Sequence, residues 1–394
     1  MFVSASPESS TTYDGGEARD VPRMCPLVHR IFFVAVGRAC RAGRLAYTLM
    51  SRERIIRGMR RLPESVQVLY AEFLDQLRAS ENDFHLPIRG SFVSKKIGSG
   101  VYWYLQRDEK GRRTQTYLGP ETPELLQQIG AAKEQQVDLK RRRQLVSMLT
   151  AGGAASESAS FTAVLEVLAD SFVFRLGGVL VGTQAFMCYA NMLGVRFEAK
   201  SLRTADIDVA ENARISVAVA REGSLDILER LKSIEPRFAA VPELDPRDPS
   251  TSLKVRGSDL RVDFLTTTRR GTRKKPVPLP HLKVAAEPLE GLDYLIEKTT
   301  KAAVVGGGGI LVNVPLPARY ALHKLWVAKN RPVSDQTKAR KDIAQAQQVI
   351  EVLLTDRPDD IEGAVMAMQS RPKMWSRVRK EFEQLTALRR VATP

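Results

Sequence analysis

Two short apolar strands that carry acidic residues constrain this chain more than any other feature. Asp206-Ile207-Asp208 places two acids two positions apart. On a strand such residues project from one face, roughly 6–7 Å apart. Asp263 interrupts a second apolar run, from Leu260 to Leu265. Burying a carboxylate is costly unless it is paired or bound to a metal ion, so we expect positive charge near these strands.

Divalent cations are the partners that best suit such acids. Hard carboxylate oxygens favour Mg²⁺ or Mn²⁺, which bind acids together with substrate phosphates. Two ions about 3.5–4 Å apart can hold the attacking and leaving oxygens of a phosphoryl displacement. Asp263 completes a triad if its strand lies beside that of Asp206 and Asp208. Taken singly, each feature has a simpler explanation: a solvated strand edge for Asp-x-Asp, and a wet strand face for Asp263.

A glycine followed by a hydroxyl residue stands at a predicted strand-to-helix junction. Residues 178–181 read as a buried strand, and a helix is predicted to begin at Thr183. Free N–H groups at a helix N-terminus bind phosphate well, and Gly182 would let a phosphate approach the backbone closely. A plain N-cap at Thr183 explains the same residues without any ligand.

Together, Gly182-Thr183, Asp206-Ile207-Asp208 and Asp263 resemble the nucleotidyltransferase fold of DNA polymerase β. The resemblance implies that the glycine–hydroxyl turn binds nucleotide phosphate and that the three acids bind metal. It also implies that Asp263 helps to activate the attacking hydroxyl. We extend the predicted nucleotide site to Arg203 and Thr204, just before the paired acids. The turn is Gly-Thr instead of Gly-Ser, and its distance to Asp206 is longer than in minimal family members.

The C-terminal third strengthens the resemblance. The segments 315–325 and 341–346 resemble the helical half of bacterial nucleotidyltransferase-like proteins, including the abortive-infection toxin group. The resemblance implies that Lys324 contacts the triphosphate and that Asp342 supports the site. Lysine suits phosphate as a mobile point charge, although a solvated helix residue is the alternative for Lys324. The predicted meander at 90–120 resembles the module that precedes the core in one bacterial branch of these proteins.

The charge balance favours polyanionic partners. Lys and Arg number 60 against 45 Asp and Glu, which gives a net charge of +15. Such a field attracts nucleic acid, nucleotides or an anionic surface, although it also confers solubility alone. RNA or DNA could bind the basic segments 140–143 and 269–275, and the alternatives are an exposed helix face and a solvated loop. Four aromatic residues near basic ones could stack bases or simply pack a small sheet: Tyr102, Trp103, Tyr104 and Tyr117.

Cysteine usage and hydropathy point to a cytoplasmic protein that does not enter a membrane. Cys25, Cys40 and Cys188 are too few and too far apart for a disulfide framework or a zinc site. No apolar run reaches the length of a membrane-spanning helix. The pattern leaves the oligomeric state open.

The order of predicted elements defines an α+β chain: a polymerase-β-type nucleotidyltransferase core, with a small mixed sheet and helices, flanked by two further regions. Gly306–Gly309 is predicted to be a hairpin tip between two strands. The domains are predicted in chain order as a disordered extension at 1–60, a helix and β-meander module at 61–150, the core at 158–315, and a helical region at 316–394.

Two functions fit these patterns. The first is a metal-dependent nucleotidyltransferase that moves a nucleotidyl group from a nucleoside triphosphate to RNA, protein or a small molecule. The second is a regulator that binds nucleotide or nucleic acid without turnover, such as a component of a toxin–antitoxin pair or of phage defence. Retention of all three acids favours the enzyme.

Overall fold

The structure is a computed structural model of the 394-residue chain. It describes residues 59–82, 90–109, 112–198, 205–211, 224–243, 245, 247–268 and 275–391. The predictions for Arg203, Thr204, the basic residues 269–274 and the extension up to residue 58 lie outside the described residues.

Helices and strands alternate through the middle of the chain, and helices alone follow residue 316. The strands are β1 (Arg60–Arg61), β2 (Ser91–Ile97), β3 (Gly100–Glu109), β4 (Arg112–Pro120), β5 (Val179–Leu180), β6 (Val195–Arg196), β7 (Asp206–Glu211), β8 (Phe238–Ala240), β9 (Ser252–Val255), β10 (Arg261–Thr267), β11 (Val277–Leu279), β12 (Val284–Leu289), β13 (Thr299–Val304) and β14 (Ile310–Pro315). The α-helices are α1 (Glu64–Ala79), α2 (Pro123–Ala151), α3 (Ala159–Asp170), α4 (Gly182–Met192), α5 (Ile227–Ile234), α6 (Leu292–Ile296), α7 (Pro317–Asn330), α8 (Gln336–Asp356), α9 (Pro358–Gln369) and α10 (Pro372–Val391).

The central sheet is mixed and is built around β10. Its strand order is β11-β12-β10-β7-β5, and β8 and β9 extend it from the side of β10 opposite β7. β10 runs parallel to β7 and β12 and antiparallel to β9. Val262 and Phe264 alternate with the acid of β10 and are fully buried, as expected for a strand with one apolar face. The predicted α+β class with a small mixed sheet is confirmed.

Helices that come before most of the sheet strands in the chain, and helices that follow them, pack against this sheet and form one main core with it. Leu165 of α3, Tyr189 of α4, Leu322 of α7 and Leu353 of α8 all belong to it and are inaccessible to solvent. The ring of Tyr189 meets that of Tyr320 edge-on at 5.0 Å between centroids. This contact fixes α4 against α7. The N-terminus of α4 therefore lies close to the polar side chains of α7.

The N-terminal meander is a separate three-stranded sheet with the order β2-β3-β4. Its side chains are mostly exposed, and Leu105 is its one fully buried side chain among the described residues. Thr122 caps the helix that follows, because its hydroxyl accepts a hydrogen bond from the backbone N–H of Leu125. The meander predicted from the change of hydrophobic period is confirmed.

A second apolar cluster joins α1 to the hairpin β13–β14. Phe73 and Leu77 of α1 share it with Leu149 of α2 and with Ala303 and Val305. The glycine run predicted as a hairpin tip does connect β13 to β14, since Val304 pairs with Ile310 across it. The module at 61–150 therefore packs against the core that follows it.

The short segment between α2 and α3 is held by side-chain hydrogen bonds. Asn191 of α4 accepts from the backbone N–H of Ala155 and donates to its carbonyl, at 2.7 and 2.8 Å. Ala154 is buried in the second apolar cluster. The residues between the predicted module and the predicted core thus connect two elements that are fixed against each other. Within the described part of the chain, none of the helices is long and apolar enough to cross a bilayer.

Removal of the Tyr70 hydroxyl is predicted to weaken the docking of α1. This hydroxyl donates to the carbonyl of Ala303 and accepts from its N–H, and the side chain is 5% exposed. Tyr70→Phe leaves both backbone groups without this partner, so the free energy of unfolding should fall by about 1–3 kcal/mol. Urea denaturation measures this loss. Val68→Ala, at a 63% exposed position of the same helix, should change stability little, and equal stability of Tyr70→Phe and wild type would contradict the role of the hydroxyl.

Candidate active site

Three acidic side chains share one face of the central sheet. The parallel register of β7 and β10 places Asp208 beside Asp263, and Asp206 beside Arg261. Alternate residues of a strand point to the same face, so the four side chains project together. The structure therefore brings together the three acids that the sequence analysis grouped, and it adds an arginine to them.

The crowded carboxylates have raised pKa values. Burial and the charge of Asp263 raise the pKa of Asp208 to about 6, and the positive charge of Lys324 opposes them. Burial also raises the pKa of Asp263, although a hydrogen bond from Ser252 and the charge of Arg261 act in the other direction. A raised carboxyl pKa means that the ionised form is poorly compensated. The charges of Lys324 and Arg261 thus compensate the burial of Asp208 and Asp263 only in part.

Arg261 supplies part of that charge. Its guanidinium Nη2 lies 2.8 Å from Oδ2 of Asp263, and its Nε lies 3.5 Å from Oδ1 of Asp206. The hydroxyl of Ser252, on β9, donates to the other oxygen of Asp263. Since the side chain of Arg261 is 40% exposed, it can turn towards solvent without leaving a buried void. The arginine had no role in the sequence analysis, although its position two residues before Asp263 on a strand already placed it on the same face.

The N-terminus of α4 lies directly against the acids. Gly182 has a φ of +64°, and a β-carbon built on it would be 2.0 Å from Oδ2 of Asp208. The N–H of Val181 donates to the carbonyl of Asp208 at 2.9 Å. Glycine is therefore required here both for its left-handed backbone and for the space that Asp208 occupies.

Thr183 is not the N-cap of α4. The N-cap position falls on Val181, and no side chain caps the helix there. Thr183 is instead 7% exposed, and its hydroxyl accepts a hydrogen bond from Gln345 of α8 at 3.4 Å. The plain N-cap explanation of this residue is therefore wrong, because the helix begins one residue earlier than the pattern indicated. With no capping side chain, the first N–H groups of α4 stay open to a ligand.

Lys324 and Asp342 form a buried ion pair beside the acids. Nζ of Lys324 lies 2.7 Å from Oδ1 of Asp342, and Nε of Arg331 lies 2.6 Å from Oδ2. The side chain of Lys324 is 12% exposed and that of Asp342 is 4% exposed. Lys324 is thus not the solvated helix residue of the alternative explanation. Asp342 holds this lysine within electrostatic reach of Asp208.

Lys341 is a second lysine that borders the acids and that the sequence analysis left without a role. Burial and then the like charge of Lys324 lower its pKa, while the charges of Asp342, Asp206 and Asp208 raise it. These partners show that its ammonium lies in the field of both the paired acids and Lys324. Its place next to Asp342 in the sequence was the available signal, but neighbours on a helix point in different directions.

The basic segment 140–143 lies on α2 and is mostly exposed. Arg142 donates to the carbonyl of Gly308 at 3.3 Å, and Arg141 lies 3.8 Å from Glu72. The segment therefore forms part of a helix face with local contacts to the rest of the protein. Of the basic loop 269–275, the structure describes Lys275 alone, and nucleic-acid binding by either segment stays a prediction.

The acids fit a divalent cation in chemistry, but their present arrangement does not hold one. Among the described residues, no three acidic, histidine or cysteine side chains stand in an arrangement that could hold a metal ion. The side chain of Arg261 lies between Asp206 and Asp263. Carboxylate oxygens are nevertheless the ligands that Mg²⁺ and Mn²⁺ prefer, and neighbouring carboxylates with raised pKa values favour such a charge.

A small mixed sheet with acids on one face, next to a bare helix N-terminus, is suited to bind and transfer phosphoryl groups. The comparison with protein families agrees with this class. A family described as nucleotidyltransferase matches residues 159–370, which is more than half of the chain and includes every described residue of the site. The chain belongs to this nucleotidyltransferase family.

The N-terminal module matches a second family. Residues 53–128 match a domain of unknown function (DUF6788), and this range contains α1 and the β-meander. Searches of curated proteins and of solved structures gave no match. The family of the core therefore rests on the match at 159–370.

Substitution of Gly182 by alanine is predicted to damage the site and the fold together. The left-handed backbone costs a residue with a β-carbon about 1–2 kcal/mol, and the carboxylate of Asp208 would have to move. Urea denaturation should show a loss of at least this size. Gly363→Ala is a matched control, because Gly363 lies inside α9 with nothing within 4 Å of the added carbon. That control should be neutral or stabilising, and the same outcome for Gly182→Ala would contradict the contact with Asp208.

Proposed function

We propose that this chain transfers a nucleotidyl group from a nucleoside triphosphate to an acceptor hydroxyl or phosphate, with Mg²⁺ or Mn²⁺ bound by Asp206, Asp208 and Asp263. The observation that carries the proposal is the common face of β7 and β10, on which these acids lie side by side. Membership of the nucleotidyltransferase family supports transferase activity in general.

The surroundings of the acids support a triphosphate as the ligand. The first N–H groups of α4 have no capping side chain and are suited to a phosphate group. Lys324, oriented by Asp342, and Lys341 bring positive charge to the same place. Three acids alone would repel a triphosphate, so these cations are needed for binding as well as for neutralising charge.

The chain's own residues provide positioning and a proton acceptor. A divalent ion, when bound, neutralises the phosphate oxygens and the pyrophosphate leaving group. Asp263, held by Ser252 on one oxygen, is the acid that we assign to take the proton of the attacking hydroxyl. A bond forms between that oxygen and the α-phosphorus as the bond to pyrophosphate breaks. Such catalysis depends mainly on alignment and on preorganised charge.

Arg261 favours a second candidate, a protein that binds nucleotide or nucleic acid without turnover. While its guanidinium stays between Asp206 and Asp263, it neutralises them in place of a metal ion. A site of that kind would bind phosphate but would lack the metal-dependent step. Phosphate binding without this step would be sufficient for a regulator in a toxin–antitoxin pair or in phage defence.

A transfer assay distinguishes the two candidates. The protein is incubated with each α-labelled triphosphate, with Mg²⁺ or Mn²⁺, and with RNA, protein and small-molecule acceptors in parallel. The enzyme hypothesis predicts metal-dependent label on one acceptor class, and a loss of at least about a hundredfold in Asp208→Asn and Asp263→Asn. Asp259→Asn is the matched control, because this exposed acid lies in the turn just before β10.

The opposite results are equally informative. Label transfer that survives in Asp208→Asn would place the reaction elsewhere in the chain. If wild type binds the triphosphate but transfers no label to any acceptor with either metal, the regulator hypothesis replaces the enzyme. Loss of transfer in Asp259→Asn as well would show that a general loss of acidic charge, and not the triad, is responsible.

A further inference from the structure

The β-meander has two different faces, and α2 covers one of them. On the covered face, Nζ of Lys133 on α2 lies 5.4 Å from the ring centroid of Trp103. The indole N–H of Trp103 also donates to Glu121, just before α2, at 2.9 Å. Leu105 points to the same side as Trp103 and is 5% exposed. This side of the sheet therefore contacts its own helix through Lys133.

Three tyrosines form the centre of the opposite face. Tyr102 and Tyr104 alternate with Trp103 along β3, and Tyr117 is the register partner of Tyr104 on β4. The ring centroids of Tyr104 and Tyr117 are 5.4 Å apart, and those of Tyr102 and Tyr117 are 6.3 Å apart. We call this surface the tyrosine face.

Tyr117 is the exposed member of the tyrosine face, whereas Tyr102 and Tyr104 are half-buried. The side chain of Tyr117 is 53% exposed, although core packing would bury it. Among the described residues, the rings of these tyrosines contact one another and Lys95, which all belong to the meander. The explanation that the aromatic residues of the meander pack a small core is therefore wrong for Tyr117.

Positive charge and amide groups surround the rings. Nζ of Lys95 lies 4.8 Å from the ring centroid of Tyr104 and donates to Oε1 of Gln115 at 2.6 Å. Gln115 in turn donates to Gln106 at 2.9 Å on the adjacent strand. The meander sequence from Ser91 to Pro120 contains six basic residues and two acidic ones. The face thus combines aromatic rings and hydrogen-bonding amides with the positive charge of Lys95.

We propose that the tyrosine face binds single-stranded nucleic acid. Unpaired bases would stack on Tyr104 and Tyr117, the two amides would meet base edges, and the basic residues would lie along the phosphates. In a duplex the bases are already stacked on one another, so their faces are not free for the tyrosines. This binding goes beyond nucleotidyl transfer and does not depend on it, since none of the acids of the site takes part.

Fluorescence anisotropy of the full chain tests the proposal. The probes are a labelled 15-nucleotide RNA, the DNA of the same sequence and the corresponding DNA duplex, without metal or triphosphate. Wild type should bind a single strand more tightly than the duplex. Tyr104→Ala/Tyr117→Ala should weaken that binding about five- to a hundredfold, from the usual contribution of stacked bases. Tyr104→Phe/Tyr117→Phe keeps both rings and should bind within about twofold of wild type.

Two further variants separate this surface from its alternatives. Lys95→Ala should lower the slope of log affinity against log salt concentration by about one, as expected for one lost phosphate contact. Asp208→Asn should bind the strands like wild type, so a failure of transfer and a failure of strand binding are distinguishable. Circular dichroism checks that each variant is folded, and the exposed position of Tyr117 favours this.

Three results would overturn the proposal. The first is single-strand affinity that does not change in the double alanine variant while the fold is intact. The second is a preference of wild type for the duplex. The third is self-association in sedimentation velocity that the alanine variant abolishes with no effect on strand binding, which would make the tyrosine face a contact between copies of this chain. A preference for RNA over DNA, or the reverse, would identify which strand the face selects within the same chemistry.

Discussion

The repulsion between Asp208 and Asp263 is the interaction on which the rest of the site depends. Parallel pairing of β7 and β10 fixes the two carboxylates side by side, and burial raises the pKa of both. Such an arrangement is stable only with positive charge close to it. Arg261 and Lys324 provide that charge within the protein, and a bound divalent ion would provide more. The chain belongs to a nucleotidyltransferase family. Transfer of a nucleotidyl group requires that negatively charged groups be brought together and that their charge then be neutralised.

The helices around the sheet maintain this balance of charge, because they hold the backbone of Gly182 and the cationic side chains in place. Gly182 starts α4 against the carboxylate of Asp208, with no room for a side chain. The ion pairs of Asp342 orient Lys324 and Arg331, and the edge-on contact of Tyr189 with Tyr320 keeps α4 and α7 together. Substitutions far from the acids can therefore alter the site by moving one helix against the other.

Local pattern was enough to predict the elements and the pairing of Asp206 with Asp208, while the family resemblance added Asp263 and long-range contacts decided the rest. Two acids spaced by one residue had to share a strand face, but the register that sets Asp263 opposite Asp208 depends on pairing between distant segments. Thr183 was predicted to bind nucleotide, with a plain N-cap as the alternative, and its burial beneath Gln345 of α8 could not be read from its neighbours. No role was predicted for Arg261, because an arginine that precedes an acid in the sequence looks like an ordinary alternation of positive and negative charge.

Binding of Mn²⁺, followed by electron paramagnetic resonance in the presence of a non-hydrolysable triphosphate analogue, tests the central claim most directly. The claim is that the acids of β7 and β10 form a metal and nucleotide site. Wild type and Asp259→Asn should bind Mn²⁺ alike, and Asp208→Asn should bind it at least about tenfold more weakly. Equal binding by wild type and Asp208→Asn, or no binding by wild type, would contradict the claim.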